Sequence, residues 1–394
     1  MDKKTIINSC NDIKDWLIDV RRELHKIPEL SLEEKCTKAK IIEYLNEIGI
    51  DYIEYENHNG IVAYILGEGM NKTVAIRADM DALPIQETNN LPYKSIHEGK
   101  MHACGHDAHT AILLGACKIL YSMKDKLNIN VKFIFQPAEE AYGGARFLVE
   151  DGCMNNPKVD YIFGLHVMPH IETGFIETKY DTLNATVDTV NISIKGKKSH
   201  GAYPENGVDA LVASCHTVSA LQTIISRNLA PVNPAVLTLG KINGGDACNI
   251  ICENVRLEGT LRTLNKETRD FMVKRISDIV KNTAQAFDCV GEVDIDQGSY
   301  PAVINNKDLV DVIKNNTLDI FGEDKFIMRE NASLGGEDFG FYTEYCEGAF
   351  FHLGCKSEAK GLISPLHTPD FELDEDCLSL GVIMHVSNVL NFNH

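Results

Sequence analysis

The ten residues Met101-His102-Ala103-Cys104-Gly105-His106-Asp107-Ala108-His109-Thr110 hold three histidines, a cysteine and an aspartate just ahead of the apolar run 111–120. Cys104 and His106 stand two apart, so on an extended segment both side chains point the same way and reach one centre. A thiolate beside an imidazole is a donor pair for zinc and related borderline-soft metals. Taken alone, a Cys-x-His is more often a turn around a buried cysteine that acts as a small hydrophobe. Further donors decide the matter. Glu139-Glu140 closes the strand-like run 129–135, where neighbouring side chains point in different directions. One carboxylate is then available to a metal and the other to a water beside it. His166 ends the next strand-like run, and Leu366-His367-Thr368-Pro369-Asp370 offers another imidazole. Singly, such histidines and acid pairs are ordinary solvated features. Together, Cys, His, Glu, His and His exceed one tetrahedral site that keeps an open position. Two metals close together fit the set better.

Alternating strands and helices must position these groups. Helical spacing runs over 13–26 (Ile13, Trp16, Leu17, Val20, Leu24) and Pro28 closes it. Ser31 and Glu34 form a capping-box pattern that opens a second helix through Leu45, ended near Gly49. Short β-type runs at 52–55, 61–65 and 73–76 lead into Arg77-Ala78-Asp79-Met80-Asp81-Ala82-Leu83-Pro84, a strand end with two carboxylates two residues apart. Aspartate is a common turn former, so solvated turn acids compete with a role at the site. Polar residues gathered after strand ends are what an open α/β sheet predicts for its active edge. The pattern changes near 181–186. A half-exposed strand at 187–194, a helix at 209–226, strands at 235–242 and 255–263, a helix at 266–287 and a strand at 290–296 give a βαββαβ order, a two-layer α+β unit of its own. Larger helices return at 308–321 and 374–390. The expected architecture is an α/β catalytic domain with a mixed sheet, residues 1–183 and 299–394, interrupted by a ferredoxin-like unit at 184–298.

The 394 residues exceed one typical core, in keeping with two domains. A net charge of −19 argues against nucleic acid or anionic membrane as a partner, since both reward a basic face. No run reaches the length of a membrane span, and the first five residues lack a signal peptide's apolar core. Twelve cysteines without a repeating framework read as reduced thiols, which fits the cytoplasm. No Gly-x-Ser-x-Gly favours a serine hydrolase, and no Gly-x-Gly-x-x-Gly favours a dinucleotide enzyme.

With these motifs in order, the chain resembles the M20 metallopeptidase clan, in the amidohydrolase branch of aminoacylase-like, hippurate and indoleacetyl-amino-acid hydrolases and N-acetyldiaminopimelate deacetylase. The matching stretches run nearly end to end: Arg22-Glu23-Leu24-His25-Lys26-Ile27-Pro28-Glu29-Leu30, 77–84, 102–109, 136–140, 164–167, Ser199-His200-Gly201-Ala202-Tyr203-Pro204, Gly336-Glu337-Asp338-Phe339 and 366–371. The resemblance implies a zinc-peptidase-like catalytic domain in which Cys104, His106, Glu140, His166 and His367 hold two divalent ions, whether zinc, manganese, nickel or cobalt. It implies that Glu139 is the general base and that His200 supplies an oxyanion donor, often across a dimer. Asn249 and Arg262 resemble groups that hold the substrate carboxylate, a task suited to arginine's planar fork. The wider clan has His-x-Asp where this chain has Asp79-Met80-Asp81. Both aspartates, and Asp107, are therefore read as groups behind the ligands, and the bridging ligand stays open. The inserted unit is implied to be a lid through which a homodimer forms. The implied activity is hydrolysis of the amide of N-acyl amino acids, acetyl, benzoyl or similar, by a metal-activated water. Alternatives are a di- or aminopeptidase of the same clan, or a metal-bearing binding protein without turnover. Glu139 beside Glu140 argues against the last, because a binding protein needs no base.

Overall fold

The computed structural model describes residues 3–67 and 72–392. The chain divides into two compact units, Met1–Leu183 with Val303–Asn331 and Asp338–His394, and Asn184–Ala302 with Ala332–Glu337. The first is built on an eight-stranded mixed sheet. Its strand order is Asp51–Glu54, Ile61–Ile65, Asn130–Gln136, Thr73–Asp79, Tyr161–Glu172, Glu347–Lys356, Ile176–Thr178 and Phe326–Met328. The four middle strands, from Asn130–Gln136 to Glu347–Lys356, run parallel. Thr73–Asp79 and Asn130–Gln136 are buried along their whole length, which is why they read as near-continuous apolar runs without alternation. One face of the sheet, through Ile76, Phe133, Phe163 and Phe351, packs under helices that contribute Leu17, Leu24, Ile41, Leu113, Val310 and Val382. The other face, through Ile134 and Phe350, meets Leu148, Phe339 and Tyr342. Helix His106–Ser122 is buried on nearly every side, as a helix apolar all round must be. Parallel strands deliver their carboxyl ends to one edge, so Asp79, Gln136 and then Glu139 and Glu140 emerge there. His166 follows just past the stretch of its strand that pairs with Thr73–Asp79.

Helix Lys35–Ile48 corrects one expectation. Glu34 is its N-cap, but its side chain makes no capping bond. Glu29 Oε2 caps instead, accepting from Thr37 N–H at 2.8 Å. Ser31 and Glu34 are spent elsewhere. The helix ends where expected, at Gly49, whose φ of 82° supplies the left-handed stop.

The second unit holds four antiparallel strands in the order Val290–Tyr300, Thr186–Lys195, Asn254–Thr263 and Ala235–Gly244. Val190, Ile192 and Ile194 point to one face, where Ala213 and Leu221 of helix Ala210–Thr223 and Met272 and Ile276 of helix Lys266–Gln285 cover them. The helix expected over 209–226 stops at Thr223 and closes in a five-residue π-type turn, Ile224–Asn228. The segment Ala332–Glu337 joins this unit through Ala185 N–H to Ser333 O at 3.0 Å and Arg262 Nη1 to Leu334 O at 2.8 Å. Among the described residues no helix is long and apolar enough to cross a membrane.

Candidate metal centre

The stretch that carries Cys104 and His106 is not extended. Gly105 takes φ 81° as the N-cap of helix His106–Ser122, and a Cβ added there would meet Val167 Cγ2 at 2.5 Å. The two side chains therefore share a centre because a left-handed glycine turns Cys104 back over the first helical turn, not because strand alternation aligns them. Cys104 Sγ lies 3.3 Å from His166 Nε2 and 3.2 Å from His367 Nε2. His367 is brought in by its own backbone: its φ is 60°, and its N–H donates to Ala103 O at 2.8 Å. Glu140 Oε1 stands 3.4 Å from His367 Nε2 and 3.9 Å from His106 Nε2. Donor atoms of Cys104, His106 and His166 all lie within 4.8 Å of one another. The same holds for Cys104, Glu140 and His367, and for His106, Glu139 and Glu140. All five expected ligands and Glu139 are thus gathered in one place.

Their protons are arranged for a cation. His166 Nδ1 lies 2.7 Å from Val167 O, which can only accept, so Nδ1 carries the hydrogen and Nε2 presents its lone pair to Cys104. His106 Nδ1 likewise donates to Asp81 Oδ1 at 3.1 Å. His106 Nε2 and Glu140 Oε1 are buried and have no hydrogen-bond partner among the described residues. Two buried polar atoms that make no hydrogen bond, each in a donor triad with the Cys104 thiol, fit a bound metal ion. Burial opposes a charge on His106, but the carboxylates of Asp79, Asp81 and Glu140 outweigh it and push its pKa up to about 10. The field that holds a proton so firmly attracts a metal cation in its place. Burial, with Glu140, Glu139 and Asp79 nearby, holds the Cys104 thiol well above its ordinary value, so its ionisation calls for a compensating cation. Burial and the neighbouring His109 keep His166 neutral, well below the usual imidazole range.

Residues 75–391 match the sequence profile of Peptidase family M20/M25/M40. The chain belongs to this family. It is 39% identical over 371 residues to an N-acetyl-L-cysteine deacetylase of Bacillus subtilis, covering 94% of this chain and 86% of the relative. It is 35% identical over 390 residues to thermostable carboxypeptidase 2 of Saccharolobus solfataricus, covering 98% of each. A solved structure described as a dinuclear metal-binding peptidase of the M20 family, from Bacillus subtilis, superposes with a TM-score of 0.85 at 33% identity, over 97% of this chain and 99% of that one. The M20 chain is accordingly a metallohydrolase of amide bonds.

Other side chains of this M20 chain fix the donors. Asp81 is doubly engaged, since its Oδ2 also accepts from Glu140 N–H at 3.0 Å and from Ser31 Oγ at 2.7 Å. Asp79 Oδ1 accepts from His109 Nδ1 at 2.5 Å and lies 3.7 Å from His106 Nε2. Buried Arg77 holds Asp79 Oδ2 at 2.6 Å, Gln136 Oε1 at 2.7 Å and Asp338 Oδ1 at 2.7 Å, a three-way clamp across the strand ends. His109 Nε2 accepts from Val167 N–H at 2.9 Å, so both its nitrogens are used and it braces the His166 strand. Asp107 turns away from the donors. It accepts from Arg21 Nε at 2.8 Å and His25 Nδ1 at 2.7 Å on helix Lys14–His25. Burial works to raise its pKa, yet Arg21 and His25 hold it well below the carboxylate range. Arg77, His109, Arg21, His25, Ser31 and Glu34 received no site role from the sequence. Arg77 and His109 lay inside stretches already singled out, and only their burial distinguishes them.

Within the second unit, Gly201 N–H donates to Asn249 O at 2.7 Å and His200 forms an antiparallel β-bridge with Ile250, so the segments that carry His200 and Asn249 lie side by side. His200 Nδ1 accepts from Ala202 N–H at 3.0 Å, which leaves the hydrogen on Nε2. Arg262 spends Nη1 on Leu334 O.

Proposed function

We propose that this protein is a metal-dependent amidohydrolase that cleaves the amide bond of N-acyl amino acids. The observation that carries the reading is the Glu139-Glu140 pair at the carboxyl edge of the sheet: Glu140 is turned into the thiol and imidazole donors, and Glu139 stands beside it. Cys104, His106, Glu140, His166 and His367 would hold two divalent ions, zinc, manganese, nickel or cobalt. Cys104, His106 and Glu140 each recur in more than one of the donor triads, so the triads overlap in one cluster and the bridging ligand stays open. Ions held there supply Lewis acidity that makes water acidic near neutral pH and polarises the scissile carbonyl. Glu139 takes the attacking water's proton and returns it to the leaving amine nitrogen. His200, with its hydrogen on Nε2, has the tautomer an oxyanion donor needs. Arg262 and Asn249 are assigned to the substrate carboxylate.

Two of the relatives support that assignment. Both a deacetylase of an N-acetyl amino acid and a carboxypeptidase cut an amide whose nitrogen belongs to an amino acid with a free carboxylate. The carboxypeptidase relative also favours a second reading, a peptidase of the same family. A di- or aminopeptidase needs a free substrate amine, which an acyl substrate lacks. We assign the second unit as a ferredoxin-like lid through which a homodimer forms. Its edge strand Ala235–Gly244 pairs on one side only, and Leu211, Val212, Val236 and Ile242 are exposed on this unit. Twelve free cysteines support a cytoplasmic location.

The test is Glu139→Gln, with metal content and turnover measured on N-acetyl, N-benzoyl and dipeptide substrates loaded with each of the four metals. Wild-type metal and a loss of roughly a hundredfold or more in kcat are expected. Full activity with metal bound removes Glu139 from its role, and preference for a free amine moves the reading to a peptidase. Mixing this variant with inactive His200→Ala restores some activity if His200 serves the partner's site, and none if it serves its own.

A further inference from the structure

Ser31 and Glu34 carry the pattern of a helix cap and do not cap. Glu34 is fully buried. Its Oε1 accepts from Ala138 N–H at 2.9 Å, and its Oε2 accepts from Asn59 Nδ2 at 2.8 Å. Asn59 is itself tied to Leu32 O at 3.1 Å. Ala138 is the residue before Glu139, is fully buried, and has φ 56°, a conformation an L side chain rarely adopts unless its surroundings impose it. Its carbonyl is also gripped, by Gly144 N–H at 3.0 Å. Gly144 cannot be replaced there, because a Cβ would stand 1.7 Å from Pro137 O. One residue past Glu139, the N–H of Glu140 is taken by Asp81. Two buried carboxylates therefore hold alternate peptides of one short loop, and Glu139 lies between them. Burial pushes the Glu34 pKa from 4.5 up to about 7, so near neutral pH the group is only partly ionised, and its unprotonated Oε1 accepts from Ala138 N–H in either form.

We infer that Glu34 is a positioning residue for the base, holding the Ala138 peptide in its left-handed conformation and so aiming Glu139, while Asp81 independently holds the ligand Glu140. The inference rests on the reading of Glu139 as the base. It differs from a general packing role in what it predicts. Without Glu34 the metal donors keep their own supports, and only the base loses its aim.

Four variants decide it: Glu34→Ala, Glu34→Gln, the double variant Glu34→Ala with Ala138→Gly, and Glu139→Gln as reference. Each is assayed for bound metal, melting temperature, kcat and KM on one N-acetyl amino acid. Glu34→Ala should keep wild-type metal content and lose roughly 10- to 100-fold in kcat, with KM changed by less than about threefold, as expected for a base displaced by a fraction of an ångström. Glu34→Gln should recover most of the loss, since its amide oxygen can still accept from Ala138 N–H. Glycine at 138 takes positive φ without help, so the double variant should recover part of it. Glu34→Met, similar in length and without an acceptor, replaces the alanine variant if that one does not fold. A Glu34→Ala kcat within twofold of wild type, a loss matched by lost metal, or no recovery in either rescue variant overturns the inference. If Glu139→Gln turns over normally, the proposed function fails. If it is inactive while Glu34→Ala is fully active, only the role of Glu34 fails.

Discussion

Replacing Asp81 by asparagine keeps the side chain's shape and turns one of its two acceptors into a donor. Oδ2 serves two donors, Glu140 N–H at 3.0 Å and Ser31 Oγ at 2.7 Å, whereas Oδ1 serves only His106 Nδ1 at 3.1 Å. The new amide nitrogen therefore faces His106. With the residue only 1% exposed, no solvent relieves the clash of two donors. His106 can answer by moving its hydrogen to Nε2, which removes the lone pair from the donor set. The first outcome leaves two buried donors facing each other, at about 1–3 kcal/mol, and the second forfeits the Nε2 donor to the metal, a loss taken to be of at least that size. At roughly 1.4 kcal/mol per factor of ten, metal affinity should fall about 5- to 150-fold. That range brackets the roughly 10–100-fold usually seen when the partner of a ligating histidine is removed. Equilibrium competition against a chelator of known affinity reads the shift directly, and the melting temperature of metal-free protein controls for general damage. Wild-type affinity in Asp81→Asn would refute the view that Asp81 fixes the tautomer of His106.

Two further outcomes are expected. Cys104 should be alkylated faster after chelation than with metal bound, because a coordinated thiolate is protected; peptide mapping must read this cysteine alone, since Cys36, Cys215 and Cys248 are exposed. Equal rates in both states would argue against coordination. His25 is buried, which disfavours its charge, but Asp107 outweighs this and pushes its pKa from 6.5 up to about 9. The folded state thus holds the proton more tightly than the unfolded chain, so the stabilisation is fully present below about 6.5 and is lost as pH rises through about 9. Melting temperatures should decline across that interval and flatten in His25→Gln; an unchanged slope would show that another group titrates.

The donor set could be read from the sequence because cysteine, histidine and paired glutamates are chemically distinctive and fell at the ends of apolar runs. What failed was geometry between residues. From the sequence alone Cys104 and His106 align on a strand, whereas Gly105 supplies a left-handed turn, and only the fold shows that a side chain there would run into Val167. Ser31 and Glu34 have a cap's spacing, and nothing local tells that Glu29 reaches Thr37 first. The contact of Arg21 with Asp107 spans 86 residues, and single-sequence periodicity carries no information about such pairs. Residues 332–337 lack any apolar pattern and join the second unit through hydrogen bonds to the backbone of residues 333 and 334, which leave no trace in side-chain type.

His367 reaches Cys104 across 263 residues of chain. A ribosome adds about 5–20 residues per second, so the thiol is made roughly 13 to 50 seconds before its partner imidazole exists. During that interval the nascent chain can present Cys104, His106, Glu140 and His166 but not the complete donor set. With His367 among the proposed ligands, the full donor set can close only after residue 367 has left the exit tunnel. An ion that loads earlier meets a weaker, exchangeable site.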